Sequence, residues 1–133
     1  VFAISPVYEI SPRGYNAFMV TAFSFTTDAW ADTPAISFDA WRAGGAFRYQ
    51  LSLDGYRSVE CEGTASEEEI VRLVGLASAW KPCYFRPVLD DNNWTVEWRD
   101  GNRLESRQGN NAFPPDWGQF VELVSKFQNR SES

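Results

Sequence analysis

Three stretches of this chain, AISFDAW, FRYQLSL and NWTVEW, place apolar side chains at every second position. Successive side chains of a β-strand point to opposite faces, so a period of two is typical of strands with one buried face. Glycine-containing steps follow the three stretches, at Gly44-Gly45, Asp54-Gly55 and Asp100-Gly101. Such steps close antiparallel hairpins. The pattern therefore predicts a sheet that must bury one face against other elements.

The first hairpin, FRYQLSLDGYRSVEC, admits two registers. A two-residue Asp54-Gly55 loop turns Val59 and Cys61 away from the apolar face. A three-residue loop, Leu53–Gly55, pairs Tyr49 with Val59 and keeps Val59 and Cys61 on that face. We favour the three-residue loop, because a register slip by one residue would move every side chain of a strand to the opposite face.

The second predicted hairpin, NWTVEWRDGNRLESR, also has an alternating strand followed by an Asp-Gly step. A three-residue loop, Arg99–Gly101, would pair Val96 with Leu104. The outer face would then carry a group of mixed charges: Glu97, Arg103, Glu105 and Arg107.

Two amphipathic helices follow from spacing and caps. In SEEEIVRLVGLASAW, Ser66 and Glu69 form a capping-box pattern, and Pro82 ends the run. Its predicted buried stripe is Ile70, Leu73, Val74 and Ala77. The second helix begins at Pro114–Asp116, with Asp116 and Gln119 as its cap. The turn that precedes it, within SRQGNNAFPPDWGQF, is either a binding loop or the joint between strand and helix, and we favour the joint.

These elements predict an α+β fold: a twisted antiparallel sheet of about six or seven strands with two α-helices packed on one face. The N-terminal stretches FAISPVYEI and NAFMVTAFSFT add an edge strand and a long strand. A chain of 133 residues is one domain by size. We place that domain at residues 1–128 and a frayed tail at 129–133.

The stretches NWTVEW and GNNAFPPDWGQFVELV, with YQLSLDG and SEEE upstream, resemble the C-terminal part of small bacterial domains of unknown function. Those domains have a Trp-bearing strand, a Gly-x-Asn-x-x-Pro turn and a final amphipathic helix. The resemblance spans Phe47 to Phe127. It implies the fold, and it carries no activity and no catalytic residues.

Residues for common catalytic chemistry are sparse. The chain has no histidine, which excludes Ser-His-Asp and Cys-His nucleophile systems and histidine-ligated metals. Cys61 lies at a core position of a strand, and Cys83 follows a proline in a loop. The spacing of the two cysteines fits no zinc or redox motif. Two free thiols and one disulfide are both open, and we favour thiols because a core of this size needs no disulfide. We predict no catalytic residue, no cofactor and no metal site.

Charge is the most specific functional signal. The net charge is −6, which argues against a nucleic-acid backbone or an anionic membrane as partner and permits a basic protein. The stretch from Asp54 to Glu69 contains six acidic residues and one basic residue, Arg57. We expect the six acids to form one acidic edge. Trp30, between Asp28 and Asp32, is either the aromatic anchor beside it or a ring folded back onto the core. The six acids are Asp54, Glu60, Glu62, Glu67, Glu68 and Glu69.

The leading hypothesis is therefore a non-enzymatic acidic binding protein: a small bacterial inhibitor, of the immunity-protein type, that masks a basic protein partner. One alternative is a small-molecule or peptide binder, using a sheet face lined by Trp94, Trp98, Tyr49 and Phe47. Another is a carboxylate-dependent hydrolase in which Asp90 or Asp91 takes part.

The expected compartment is the cytoplasm, because a core of this size needs no disulfide. A secreted origin stays open, since the chain starts at Val1 rather than at methionine. No pattern in the sequence specifies an oligomeric state.

Overall fold

The computed structural model describes residues 20–29, 33–55, 58–89 and 92–130. Residues 129 and 130 are described by their backbone only. Within these ranges the chain forms seven strands, two α-helices and a 3-10 helix. The strands are β1 (Val20–Thr27), β2 (Ala35–Ala43), β3 (Ala46–Asp54), β4 (Ser58–Ala65), β5 (Cys83–Phe85), β6 (Asn93–Asp100) and β7 (Arg103–Asn110). The helices are α1 (Glu67–Ser78), α2 (Trp117–Ser125) and the 3-10 helix (Lys126–Arg130).

All seven strands belong to one sheet in the order β4-β3-β2-β1-β6-β7-β5. Every pairing is antiparallel except that of the three-residue strand β5, which runs parallel to β7. The predicted α+β class and strand number are confirmed, and β5 makes the sheet mixed. The predicted N-terminal edge strand lies outside the described residues. Of the predicted long strand, Val20–Thr27 is described and is β1.

One face of the sheet is buried under both helices, as predicted. Side chains from alternate positions of β1, β2, β3 and β6 form a single core with the apolar stripes of α1 and α2. Rings dominate this core, because each ring buries a large apolar area and offers edge-to-face contacts. Among its fully buried side chains are Phe23, Phe25, Phe38, Phe47, Tyr49, Trp94, Trp98 and Phe120.

The β3–β4 hairpin corrects the predicted register. Asp54 pairs with Ser58 and Leu51 pairs with Cys61, so strand β3 continues through Leu53 and Asp54, which the prediction assigned to the loop. The predicted faces are right, since Cys61 packs against the core. The observed register adds one apolar cross-strand pair, Leu53 with Val59, that the shorter strands of the prediction would lose.

The β6–β7 hairpin has a two-residue loop, Gly101-Asn102, and pairs Val96 with Arg107. The positive φ of 65° at Gly101 suits the first loop position of a type II′ turn. The predicted three-residue loop was wrong, and β7 is turned over as a result. Arg107 and Glu105 point to the helix side, whereas Leu104 points to the opposite side.

Arg107 explains why β7 takes this orientation. Its guanidinium carbon lies 5.0 Å from the centre of the Trp98 ring. Its nitrogens donate to the backbone oxygens of Ser78, at 3.3 Å, and of Trp80, at 3.1 Å. Helix α1 has no basic residue in its last turn. Arg107 therefore supplies from β7 the positive charge and the donors that the C-terminus of the helix lacks.

Helix α1 follows the sequence closely. The Ser66 side chain accepts from the backbone N–H of Glu69, and the Glu69 carboxylate accepts from the backbone N–H of Ser66. This is the predicted capping box. The predicted stripe of Ile70, Leu73, Val74 and Ala77 is buried.

The N-terminus of α2 differs from the prediction. Asp116 precedes the helix but makes no side-chain cap. Its carboxylate accepts instead from the indole N–H of Trp80, at 2.6 Å. A buried indole needs an acceptor, and this bond joins the end of α1 to the start of α2.

The turn between β7 and α2 is built around Trp94. The Trp94 indole donates to the backbone oxygen of Ala112 at 2.9 Å. A Cβ at Gly109 would lie 2.1 Å from the Trp94 indole nitrogen, so this position needs glycine. Asn111 adopts the left-handed conformation, with φ of 61°, that reverses the chain. These contacts support the role of a joint between strand and helix.

The chain then continues past α2. Phe127, in the 3-10 helix, is buried against Phe38, and its backbone oxygen accepts from the Tyr49 hydroxyl at 2.9 Å. The predicted domain boundary at residue 129 falls inside this 3-10 helix, which reaches Arg130.

Candidate binding surface

The side of the sheet opposite the helices is called the open face here. On it, strand pairing aligns residues of six strands in rows that cross the sheet. One row, the acidic row, reads Glu62, Gln50, Asp39, Ser24, Glu97 and Ser106 from β4 to β7. The next row, the Trp41 row, reads Arg48, Trp41, Ala22, Arg99 and Leu104 from β3 to β7. Both rows are half-buried or exposed throughout.

The six acids predicted to form one edge divide into two groups. Asp54, Glu60 and Glu62 lie on the open face at the β3–β4 end of the sheet. Glu67, Glu68 and Glu69 form the first turn of α1, which packs on the other face. The expected single acidic edge is therefore two surfaces, because β4 sends Glu60 and Glu62 away from the face on which the chain enters α1.

Within the described residues, one acid of the helix group, Glu67, is paired with a cation. Arg42 binds the Glu67 carboxylate at 2.7 Å while its guanidinium lies 4.7 Å from the Phe47 ring centre. Glu69 is occupied by the capping box. Glu68 is exposed. The α1 group thus serves mainly to start the helix.

The open-face acids are unneutralised within the described part of the chain. The ion pairs there join Arg42 to Glu67, and Arg103 and Arg107 to Glu105. None involves the carboxylates that the strands place on the open face, which are Asp39, Asp54, Glu60, Glu62 and Glu97. Asp54 accepts one hydrogen bond, from the Ser58 hydroxyl at 3.0 Å. Arg48 and Arg99 are the cations of the two rows, so this surface is acidic on balance.

The predicted anchor Trp30 lies outside the described residues. Among the described residues, the open face carries Trp41, with 41% of its surface exposed, and Leu104, which is 59% exposed. Sequence reasoning missed both. The alternation of Ile36, Phe38 and Ala40 contained the signal for Trp41, since it assigns residue 41 to the opposite face. Leu104 was missed because its face depends on the loop length of the second hairpin.

Two concavities mark the open face. One, of about 430 Å³, lies at the β3–β4 edge and includes Gln50, Ser52, Glu60 and Glu62 in its lining. The other, of about 290 Å³, lies over β1 between β2 and β6. We call the second one the β1 trough. Its lining includes Ala22, Ser24, Asp39, Trp41, Glu97, Arg99 and Leu104.

A third concavity, of about 360 Å³, lies beside α2 and is mainly apolar. Its apolar wall comes from Ile36, Phe113, Trp117 and Val121, and Asp28 and Asn92 are among its polar residues. Its size is within the range of small-molecule sites.

The structure decides one of the other sequence-based hypotheses and leaves the hydrolase hypothesis untested. The aromatic sheet face proposed as a ligand site is wrong as written. Trp94, Trp98, Tyr49 and Phe47 are at most 1% exposed, because the helices cover them. Asp90 and Asp91 lie outside the described residues. Cys61 and Cys83 are free thiols, the first half-buried and the second exposed.

The described ranges contain no group of three or more potential metal ligands. The same ranges hold no helix long and apolar enough to cross a membrane. Comparisons with protein families, with curated proteins and with solved structures found no match.

Proposed function

We propose that this chain is a non-enzymatic binding protein whose open face receives a basic protein, in the manner of an inhibitor or immunity protein that masks its target. One observation carries the proposal. The strands place five carboxylates on the face opposite the helices, and none of them forms an ion pair within the described residues. Unneutralised charges of one sign attract an oppositely charged partner over distance and raise its association rate.

The shape of the open face suits a protein partner. Six strands at a spacing of about 4.8 Å give rows roughly 25 Å long, which is the scale of one side of a standard interface. Short hydroxyl side chains, such as Ser24, Ser37 and Thr26, offer hydrogen bonds with little loss of side-chain entropy. Trp41 supplies an exposed ring of the type enriched at the energetic centres of interfaces.

Charge reversal tests the proposal, and the division of the acids supplies a matched control. The test variant is Glu60→Lys with Glu62→Lys on the open face. The control is Glu68→Lys with Glu122→Lys, two exposed glutamates on the helices. The partner is first captured from extract of the source cells and identified, and its association rate is then measured by stopped flow at low and high salt.

We expect the open-face variant to slow association by about tenfold or more at low salt and the control to change it much less. High salt should shrink the difference, because screening weakens steering. Equal effects of the two variants, or a captured partner without a basic surface, would contradict the proposal.

The apolar concavity beside α2 supports a second candidate function, binding of a small apolar molecule. A substitution at Gly118 can fill it, because a Cβ there meets no atom within 4 Å. We expect Gly118→Trp to abolish binding of an apolar fluorescent dye and Gly118→Ala to preserve it. Dye binding that is the same in both variants would place the dye elsewhere.

A further inference from the structure

The β1 trough exists because β1 contributes two small side chains to the open face. Ala22 and Ser24 form its floor, and the flanking strands β2 and β6 carry larger residues on both sides. Two strand spacings separate β2 from β6, or about 9–10 Å between their backbones. This gap leaves room for one side chain of a partner.

The two ends of the trough differ in chemistry. In the acidic row, Asp39 and Glu97 flank Ser24 from opposite sides. In the Trp41 row, Trp41 and Arg99 flank Ala22, and Leu104 lies beyond Arg99. One end thus presents two carboxylates, and the other presents an aromatic ring and an exposed leucine.

We propose that the β1 trough is the seat of an arginine side chain of the basic partner. A guanidinium at the acidic end would meet the carboxylates of Asp39 and Glu97, and its planar donor groups suit carboxylate oxygens. The aliphatic stem would lie along Trp41 and Leu104, where stem and ring exclude water. Arg99 repels a cation at the Trp41 end and so orients the guanidinium toward the acidic row.

Arginine fits this seat better than lysine does. A guanidinium offers five donors in a plane, directed outward from different edges, so it can address two separated carboxylates at once. A lysine ammonium is a compact point charge that would satisfy one of them at a time. This inference rests on the proposed function, since it names the partner group that the open face recognises.

A small probe tests the seat independently of the partner. The probe is a capped glycine-arginine-glycine peptide, titrated into the isotope-labelled protein and followed by the amide shifts of Ala22, Ser24, Asp39 and Glu97 and the indole shift of Trp41. Matched peptides carry lysine or the neutral arginine analogue citrulline. We expect the citrulline peptide to bind at least about tenfold more weakly than the arginine peptide, because citrulline lacks the positive charge.

Two variants of β1 provide the structural control. Ala22→Leu fills the floor of the trough, whereas Thr26→Leu places the same leucine side chain on the same strand and face outside it. Both are first checked for cooperative unfolding. We expect Ala22→Leu to remove the arginine-peptide shifts and Thr26→Leu to keep them. The isosteric double variant Asp39→Asn, Glu97→Gln should weaken binding of the arginine peptide by about tenfold.

Three results would contradict the proposed arginine site. They are peptide shifts centred on Glu60 and Glu62, equal binding of the arginine and citrulline peptides, and unchanged peptide binding by the Ala22→Leu variant. The protein partner separates this failure from that of the proposed function. If Ala22→Leu binds the partner normally and the Glu60→Lys, Glu62→Lys variant does not, the seat is wrong and the proposed function stands. If the peptide occupies the trough but the captured partner is not basic, the seat stands and the proposed function is wrong.

Discussion

The two faces of the sheet come from the same strands and carry opposite chemistry. On the helix side, β1, β2 and β6 present Phe25, Phe38 and Trp98, which are at most 1% exposed. On the open side, neighbouring positions of the same strands present Ser24, Asp39 and Glu97. Packing constrains the first set, because all three side chains belong to the buried core. Nothing in the core constrains the second set, which is therefore free to serve recognition.

The helix face is also an aromatic network. Trp80 contacts Trp94 and Phe120 edge to face, with ring centres 5.5 and 4.9 Å apart, and Phe25 meets Phe120 at 5.0 Å. Such pairs contribute about 0.5–1.5 kcal/mol each beyond their buried area. Stability should therefore depend on one face and binding on the other.

The largest expected effect comes from comparing two tryptophans. Trp98→Ala should lower the free energy of unfolding by about 3–5 kcal/mol, because it opens a cavity in the core. Trp41→Ala should change it by about 0.5 kcal/mol or less, because its ring is partly exposed on the open face. Urea unfolding followed by circular dichroism measures both. Similar losses would contradict the division between the faces.

Two glycines give the next largest contrast. Gly109→Ala places a Cβ against the Trp94 indole and should cost about 1–3 kcal/mol of unfolding free energy, as overpacking does. Gly118→Ala lies in α2 with open space around the new methyl group, and it should stabilise by about 0.5–1 kcal/mol. The sign of the two changes, read from urea midpoints, is the test.

Two arginines, one on each face, test the same comparison with smaller expected changes in the free energy of unfolding. Arg107→Ala removes the donors at the C-terminus of α1 and should lower the unfolding free energy by about 1–2 kcal/mol. Arg99→Ala, on the open face, should have an effect within about 0.5 kcal/mol. Hydrogen exchange of the last turn of α1 should accelerate in the first variant alone.

The smallest effect concerns Asp100, which lies at the β6–β7 turn. Burial raises the pKa of Asp100 above its ordinary value of 3.8; the nearby Arg103 opposes this rise and Glu105 adds to it. The folded state therefore holds the proton more tightly than the unfolded state does, and the ionised carboxylate weakens the fold at neutral pH. Asp100→Asn should be slightly more stable than the original protein at neutral pH.

The advantage of Asp100→Asn should shrink as pH falls through the raised pKa of Asp100 and vanish below 3.8, where both states bind the proton. Urea midpoints over this range test the sign. A gap between the two proteins that grows on acidification would contradict it.

Sequence patterns correctly predicted the features that depend on residues close together in the chain. The capping box at Ser66 and the stripe of α1 depend on residues three and four apart, so the sequence contains them completely. The alternation in β2, β3 and β6 assigned the core-facing residues of those strands. On the site, the same logic assigned Glu60 and Glu62 to the outer face, and both lie there.

Three of the failures involve partners distant in sequence. Asp116 suits a helix cap, but the Trp80 indole takes its carboxylate. The loop length of the β6–β7 hairpin could not be read locally, because the orientation of β7 depends on Arg107 reaching α1. The acidic edge divided for a similar reason: charge counts along a chain do not record the face on which each side chain emerges.

The sequence by itself determined helix α1 and the side of strands β2, β3 and β6 that packs inward, since both depend on periods of two and 3.6 along the chain. Only the tertiary structure decided which residues meet across strands. That pairing placed Asp39 and Glu97 on either side of the small residues of β1. The packing of α1 on the sheet joined Arg42 to Glu67. The reason is physical: cross-strand register and helix packing are set by contacts between segments far apart in the chain, and no local pattern encodes them.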